Sequence, residues 1–233
     1  MSFPTTSWSL VLAAKGAGAL SGAALERLCG LYWYPVYAYI RSRRSSPEDS
    51  RDLTQEFFFR LLDKRYLDAI DAPRGRFRWF LQAAVKNLLA NEYDRIQAQK
   101  RGGGQVFLSL EMEGAEQMYR LEPVDQLTPE KIFDRGWSRL LLNRAMDRMR
   151  QEHEKSGKRA HFDRLKQYLV GDDDPASYRD AAQAMGATEG AVKVAVHRLR
   201  RRFAEVLRAE IAETVLDESE VDAELRFLIS ALR

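Results

Sequence analysis

The chain has 233 residues, 45% hydrophobic and 30% charged, with a formal net charge of +3; this balance excludes a wholly disordered chain, and the length predicts two small cores rather than one. No uninterrupted apolar run reaches the length of a membrane span, and the N-terminal MSFPTTSWS lacks the basic stretch and apolar run of a signal peptide, so a cytoplasmic chain with no membrane association is expected. Cys29 is the only cysteine and His153, His161 and His197 the only histidines, which excludes an internal disulfide and leaves no zinc-like spacing, so neither metal nor other cofactor is expected.

Helical spacing dominates; only residues 106–110 (VFLSL) alternate as a strand would, and the fold class expected is all-α. A short helix is predicted around residues 8–14. A longer one follows from about 22 to 44, with Leu25, Leu28, Cys29, Tyr32, Val36 and Tyr39 three and four apart and a kink expected at Pro35. Ser46, Pro47, Glu48 and Asp49 give an N-cap, a first-turn proline and first-turn acids, starting a helix that runs to about residue 64. Its apolar positions Leu53, Phe57, Leu61 and Leu62 leave Asp52, Gln55, Glu56 and Arg60 on the other side. The loop 72–76 (APRGR) leads into the clearest amphipathic stripe of the chain, which is made of Phe77, Phe80, Leu81, Ala84, Val85, Leu88, Leu89, Tyr93 and Ile96. Arg78, Trp79, Gln82, Lys86, Asn87, Asn91, Arg95 and Gln99 lie on the faces left over.

Gly102, Gly103 and Gly104 stop that helix, and periodicity returns only at Thr128-Pro129-Glu130, an N-cap followed by proline. Residues 102–128 therefore read as an acidic linker between a first helical domain, 5–101, and a second, 129–210. The second carries Ile132, Phe133, Trp137, Leu140, Leu141 and Met149 on one helix and Phe162, Leu165, Tyr168 and Leu169 on the next, before a break at 171–175 (GDDDP).

Residues 178–203 (YRDAAQAMGATEGAVKVAVHRLRRRF) have the parts of a helix-turn-helix: Ala182 where two helices touch, Gly186 for the turn, Thr188 as N-cap and Val192 to lock the second helix. That helix would bury Val192, Val196, Leu199 and Phe203 and turn Lys193, Val194, His197, Arg198 and Arg201 outward, with Glu189 at its N-terminus. The competing reading is a helical hairpin whose arginines merely solvate a surface. Beyond it, Ile211, Val215, Val221, Leu225, Leu228, Ile229 and Leu232 keep helical spacing in residues 211–233, with Asp217 or Ser219 as cap. Such a stripe must be buried, either as a packed C-terminal amphipathic helix or by folding back on the DNA-binding surfaces or meeting a regulator.

Charge is sorted along the chain. Residues 74–101 hold seven Lys or Arg against two acids and residues 193–202 hold five against none, whereas 111–125 carry five acids and 205–224 carry eight, each against a single arginine. Two basic stretches predict two contacts with a polyanion. In the first, aromatics accompany the charge (Arg74, Arg76, Phe77, Arg78, Trp79, Phe80), a combination suited to a separated strand, whose phosphates need cations and whose unpaired bases need flat faces. Phe77 and Phe80 fit the core; Trp79, one position off the stripe, is the stacking candidate.

Residues 52–61 (DLTQEFFFRL), followed by 77–81 (FRWFL) and 86–88 (KNL), resemble the second conserved region of the extracytoplasmic-function sigma factors of bacterial RNA polymerase. Residues 189–193 (EGAVK) with His197-Arg198 are similar to the fourth region, and with the spacer the resemblance spans roughly residues 5–210. It implies a subunit without catalytic residues. The 52–61 helix would dock on a coiled coil of the largest subunit of core RNA polymerase through Asp52, Gln55, Glu56, Phe58 and Arg60. Arg74, Arg76, Arg78, Trp79, Lys86, Asn87, Asn91 and Arg95 would hold the single-stranded non-template strand of the minus-ten element. Thr188, Glu189, Gly190, Lys193, Val194, His197, Arg198 and Arg201 would read the minus-thirty-five duplex, and the linker would thread toward the polymerase active-site cleft.

Three features depart from the family pattern: Val194 and Ala195 in the recognition helix, the long linker, and the segment after residue 210. Control by an anti-sigma protein, by a regulatory kinase acting at Thr54, or by the tail is left open. Two other functions compete. A polymerase-independent helix-turn-helix regulator explains 178–203 but not the Asp52 helix or the aromatic-basic stretch. A nucleic-acid enzyme would have to use Asp172, Asp173 and Asp174 to hold a cation, where a solvated turn is the simpler account.

Overall fold

The computed structural model describes residues 19–44, 46–62, 76–98, 114–122, 126–169, 175–215 and 217–233, with the side chains of 19–28, 62, 93–98 and 175–177 outside that description. The expected helix at 8–14, the strand-like 106–110, the glycines at 102–104 and the acids at 172–174 also lie outside it. Among the described residues all regular structure is helical: α1 (Ala19–Arg43), α2 (Pro47–Leu62), α3 (Phe77–Ala98), α4 (Ala115–Tyr119), α5 (Pro129–Lys155), α6 (Arg159–Leu165), α7 (Pro175–Met185), α8 (Glu189–Ala212) and α9 (Val221–Leu232), with short 3-10 turns at Lys166–Leu169 and Glu218–Glu220. No helix among them is long and apolar enough to cross a membrane.

The helix starts follow local chemistry. Ser46 Oγ accepts from the Asp49 amide at 3.2 Å, Thr128 Oγ1 from the Lys131 amide at 3.3 Å, and Thr188 Oγ1 from the Ala191 amide at 3.2 Å, each satisfying a donor that the first turn leaves without a partner. Pro35 sits inside α1.

The chain divides into two compact units, Met1–Leu140 with Ala212–Arg233, and Leu141–Ile211. This differs from the expected division, because acids assigned to the linker and apolar residues assigned to the second domain both pack on the first unit. Tyr34, Tyr37 and Ala38 of α1 form a core with Ala115, Tyr119 and Ile132. A Cβ at Gly136 would lie 3.1 Å from the Tyr34 ring and 3.5 Å from Pro35 Cα, so glycine lets α5 approach α1 this closely. Glu116 is fixed there too: Arg41 grips its carboxylate through Nε at 2.9 Å and Nη2 at 3.1 Å, and Tyr37 donates to it at 2.8 Å. The arginine's hydrogen bond, more than any other influence, holds the Glu116 carboxyl below the usual range.

Part of the C-terminal stripe, Val215, Val221 and Leu228, is buried in the same unit, while Ile229 is 46% exposed. Asp217 caps its approach by accepting from the Ser219 amide at 2.8 Å, Val221 and Leu228 of α9 are buried, and Arg135 donates to the Leu232 carbonyl at 2.8 Å.

The second unit closes on Phe162, Leu165, Tyr168, Tyr178 and the inner face of α8. Glu210 is buried on α8 and accepts from Arg144 at 2.9 Å and Arg148 at 3.4 Å, both on α5.

Candidate nucleic-acid interface

The helix-turn-helix is the better formed of the two candidate surfaces. Gly186 takes a φ of +60°, the left-handed conformation that ends α7 and that side chains with a Cβ rarely adopt, and the Ala187 amide closes the turn on the Ala182 carbonyl at 2.9 Å. Val192, Val196, Leu199 and Phe203 of α8 are buried, while Thr188, Gly190, Lys193, Val194, His197, Arg198 and Arg201 are exposed and Glu189 is half-buried. Two arginines of the basic run are engaged within their own unit. Arg200 donates to the Tyr168 carbonyl at 2.8 Å, and Arg202 reaches Glu152 at 2.7 Å and Glu205 at 3.1 Å. Lys193 lies 5.8 Å from the Tyr178 ring centroid, and Arg201 stays 74% exposed beside Glu205. The outward strip therefore consists of Lys193, His197, Arg198 and Arg201 around Val194.

On α2, Asp52 is exposed and Gln55, Glu56 and Arg60 are half-buried, Arg60 pairing with Glu56 at 2.5 Å one turn away. Phe58 corrects the sequence reading: it is fully buried, edge-on to Phe57, whereas Phe59 is 50% exposed and was not singled out. Phe58 stands three and four residues before Leu61 and Leu62, at the edge of the apolar stripe, whereas Phe59 falls on the opposite side of the helix. Thr54, the candidate for phosphorylation, is also buried, its hydroxyl donating to the Ser50 carbonyl at 2.6 Å.

The first basic segment holds the largest surprise. Arg74 and the Arg95 side chain lie outside the described residues. Lys86, Asn87 and Asn91 are exposed along α3 as expected. Asn87 and Asn91 line a cleft of about 230 Å³ with Arg60 and the apolar Phe57, Leu61, Ala84 and Leu88. Lys86 borders another, of about 300 Å³, beside Arg43 and Arg44, cations at the end of α1 that periodicity gave no reason to select.

Trp79 is 52% exposed, but Arg78, expected on an outward face, is only 2% exposed. Its guanidinium pairs with Glu224 of α9 and lies 3.6 Å from Asp134 of α5; it stands 3.8 Å from the Phe227 ring centroid and 5.1 Å from that of Trp137. Arg76 joins the same carboxylate, 3.1 Å from Glu224. Gln82, also assigned to the outer face, donates to Asp134 at 2.9 Å. Burial dominates the electrostatics of this cluster: it lowers the Arg78 proton affinity, raises that of Glu224, and pushes the Asp134 carboxyl up to about 6 against the pull of Arg78.

No group of three or more histidine, cysteine or carboxylate side chains that could hold a metal ion occurs among the described residues. Compared with protein-family models, curated proteins and solved structures, the chain matches none of them.

Proposed function

We propose that this chain is a dissociable promoter-recognition subunit of bacterial RNA polymerase, a small sigma factor of the extracytoplasmic-function type that joins core polymerase, binds the minus-thirty-five and minus-ten elements, and assists promoter melting. The observation that carries the reading is the pairing of two different surfaces in one chain. One unit has a helix-turn-helix with an outward strip of Lys193, Val194, His197, Arg198 and Arg201, and the other has a half-exposed Trp79 at the start of a helix lined by Lys86, Asn87 and Asn91. A cationic helix face with an apolar residue at its centre suits a major groove, where phosphates are met by cations and a thymine methyl by a valine. An exposed indole flanked by cations suits unpaired bases instead. A regulator that reads duplex DNA alone needs the first surface and has no use for the second.

In this reading Asp52, Gln55, Glu56 and Arg60 of α2 meet the coiled coil of the largest subunit, with Phe59 in the apolar role first given to Phe58. The test is reconstitution: the purified chain is mixed with core polymerase, and complex formation and run-off transcription from genomic DNA are measured. A stable complex that initiates only when the chain is present is the expected result. Failure to associate, or association without RNA from any start site, overturns the proposal. Specific duplex binding by the chain alone, with no association, would identify a polymerase-independent regulator.

A further inference from the structure

The segment after residue 210 lies beyond the resemblance, yet its helix supplies the closest partners of a residue at the heart of the minus-ten surface. Glu224 is 2% exposed and holds both Arg76 and Arg78. The same two guanidiniums lie 5.1 and 5.5 Å from the Trp79 ring centroid, within cation–π range. Arg78 is itself enclosed by Phe227 and Trp137, rings that lie 6.2 Å apart. One carboxylate of α9 thus fixes two cations, and the two cations fix the indole.

We propose that Glu224 is a positioning residue for single-strand binding, and that α9 is a permanent buttress which, through Arg76 and Arg78, holds Trp79 in the orientation that an unpaired base stacks on. This inference rests on the single-strand part of the proposed function. The opposite device would be an acidic cover that shields the arginines until it is displaced, and two observations oppose it. Trp79 remains half exposed while Arg78 is closed off, so the stacking surface is not covered. Removing α9 would return the buried apolar Val221 and Leu228 to water and break the pairing of Glu224 with both arginines, a costly route to exposing a cation. Arg78 therefore acts through Trp79 and does not touch phosphate itself.

The test uses fluorescein-labelled single-stranded DNA of mixed sequence, titrated by anisotropy with the full chain, alone and bound to core polymerase. Trp79→Ala should weaken binding on the order of tenfold, the worth of one stacked base. Glu224→Gln, which keeps the shape and removes the charge, should weaken it by roughly threefold or more, because it loosens the same stacking contact. Glu224→Asp should bind close to the wild type, and the double variant Trp79→Ala/Glu224→Gln no worse than Trp79→Ala alone. A structural defect unrelated to the indole would add its loss to that of Trp79→Ala, and that result overturns the inference. Unchanged or tighter single-strand binding by Glu224→Gln overturns it as well, as does a wild-type chain that binds no single strand in either form. If Glu224→Gln fails to fold, Phe227→Leu replaces it, removing the ring over Arg78 while keeping an apolar side chain, and the same outcomes apply. Core association is scored separately through α2, so single-strand binding without association sinks the sigma reading and leaves this inference standing.

Discussion

Glu122 offers a direct measure of whether the acidic segment before α5 is tether or structure. Its carboxylate has no solvent exposure; it accepts from the Tyr34 hydroxyl at 3.1 Å and from Arg139 Nη1 at 2.9 Å, and Arg135 Nε lies 3.1 Å away. Burial, followed by the Glu122 charge, raises the Tyr34 phenol far above its ordinary pKa, so the hydroxyl stays a donor. Glu122→Ala leaves that buried hydroxyl and two arginines without their acceptor. Removing one partner of a buried ion pair costs about 3–5 kcal/mol. Arg135 and Arg139 keep 18% and 31% side-chain exposure, so water recovers part of their solvation and the low end of the range, about 3 kcal/mol, is expected. For a chain of this size that corresponds to a fall in Tm of about 6–12 °C. Trp33, Trp79 and Trp137 belong to the unit that contains Glu122 and the sequence of 141–211 has no tryptophan, so tryptophan emission during urea and thermal unfolding does not report on the second unit. Tyr34→Phe, which removes only the hydroxyl, should cost about 1 kcal/mol. A loss below about 0.5 kcal/mol for Glu122→Ala, the size of an ordinary surface change, would refute the packing argument and return residues 114–122 to the solvated linker expected from composition.

Thr54→Glu places a charge where the native side chain is fully buried, and should destabilise the first unit by about 3 kcal/mol or more in the same unfolding assay; native-like stability would reopen Thr54 as a modification site. Asp134 gives a pH signature. Its carboxyl is raised to about 6 in the fold against 3.8 when free, so the folded state holds the extra proton and the contribution of this group to stability falls as pH rises from about 4 to 6. The stability of the wild type relative to Asp134→Asn should accordingly be greater at pH 4 than at pH 7, and a difference of the opposite sign in urea titrations would contradict the assignment. Arg198→Ala should weaken duplex binding about equally across sequences and reduce the slope of log K against log salt by about 1, as loss of a phosphate contact demands; an unchanged slope would remove Arg198 from the interface.

What the sequence discloses here is whatever depends on neighbours within a turn or two. The caps at Ser46, Thr128 and Thr188 could be read because each needs only a hydroxyl and the amide three residues on. The helix-turn-helix could be read for the same reason: Ala182, Gly186 and Val192 act within one short supersecondary unit. Arg78 could not. It stands next to Phe77 on a helix whose stripe predicts one buried side, but α3 also packs against α5 and α9, and the carboxylate that makes burial of a guanidinium tolerable is 146 residues away. Phe58 and Phe59 are a different case: the 3.6-residue period puts Phe58 at the edge of the stripe with Leu61 and Leu62 and Phe59 across from it, so the burial of one and exposure of the other follow from spacing. The tyrosines of α1 show its converse: spacing places Tyr39 on the apolar stripe, but its hydroxyl finds a distant acid, Glu130, as those of Tyr34 and Tyr37, which spacing did not select, find Glu122 and Glu116.

Internal pairing changes what the charge pattern means. Five basic residues in 193–202 suggest a dense polyanion surface, but Arg200 and Arg202 are engaged within their own unit, and in the first basic stretch Arg76 and Arg78 are committed to Glu224. An arginine held at short range by a buried carboxylate releases few counterions on meeting DNA, because most of its field is already neutralised. If the proposed DNA binding holds, the cations among the described residues that would set its salt dependence are Lys193, Arg198 and Arg201 on α8 and Lys86 with Arg43 and Arg44 in the first unit. Under the proposed function, specificity would come in larger part from the uncharged members of the two surfaces, Val194 in one and Trp79, Asn87 and Asn91 in the other. Side chains of these types can distinguish a thymine methyl or an unpaired base from a phosphate, which a cation does not.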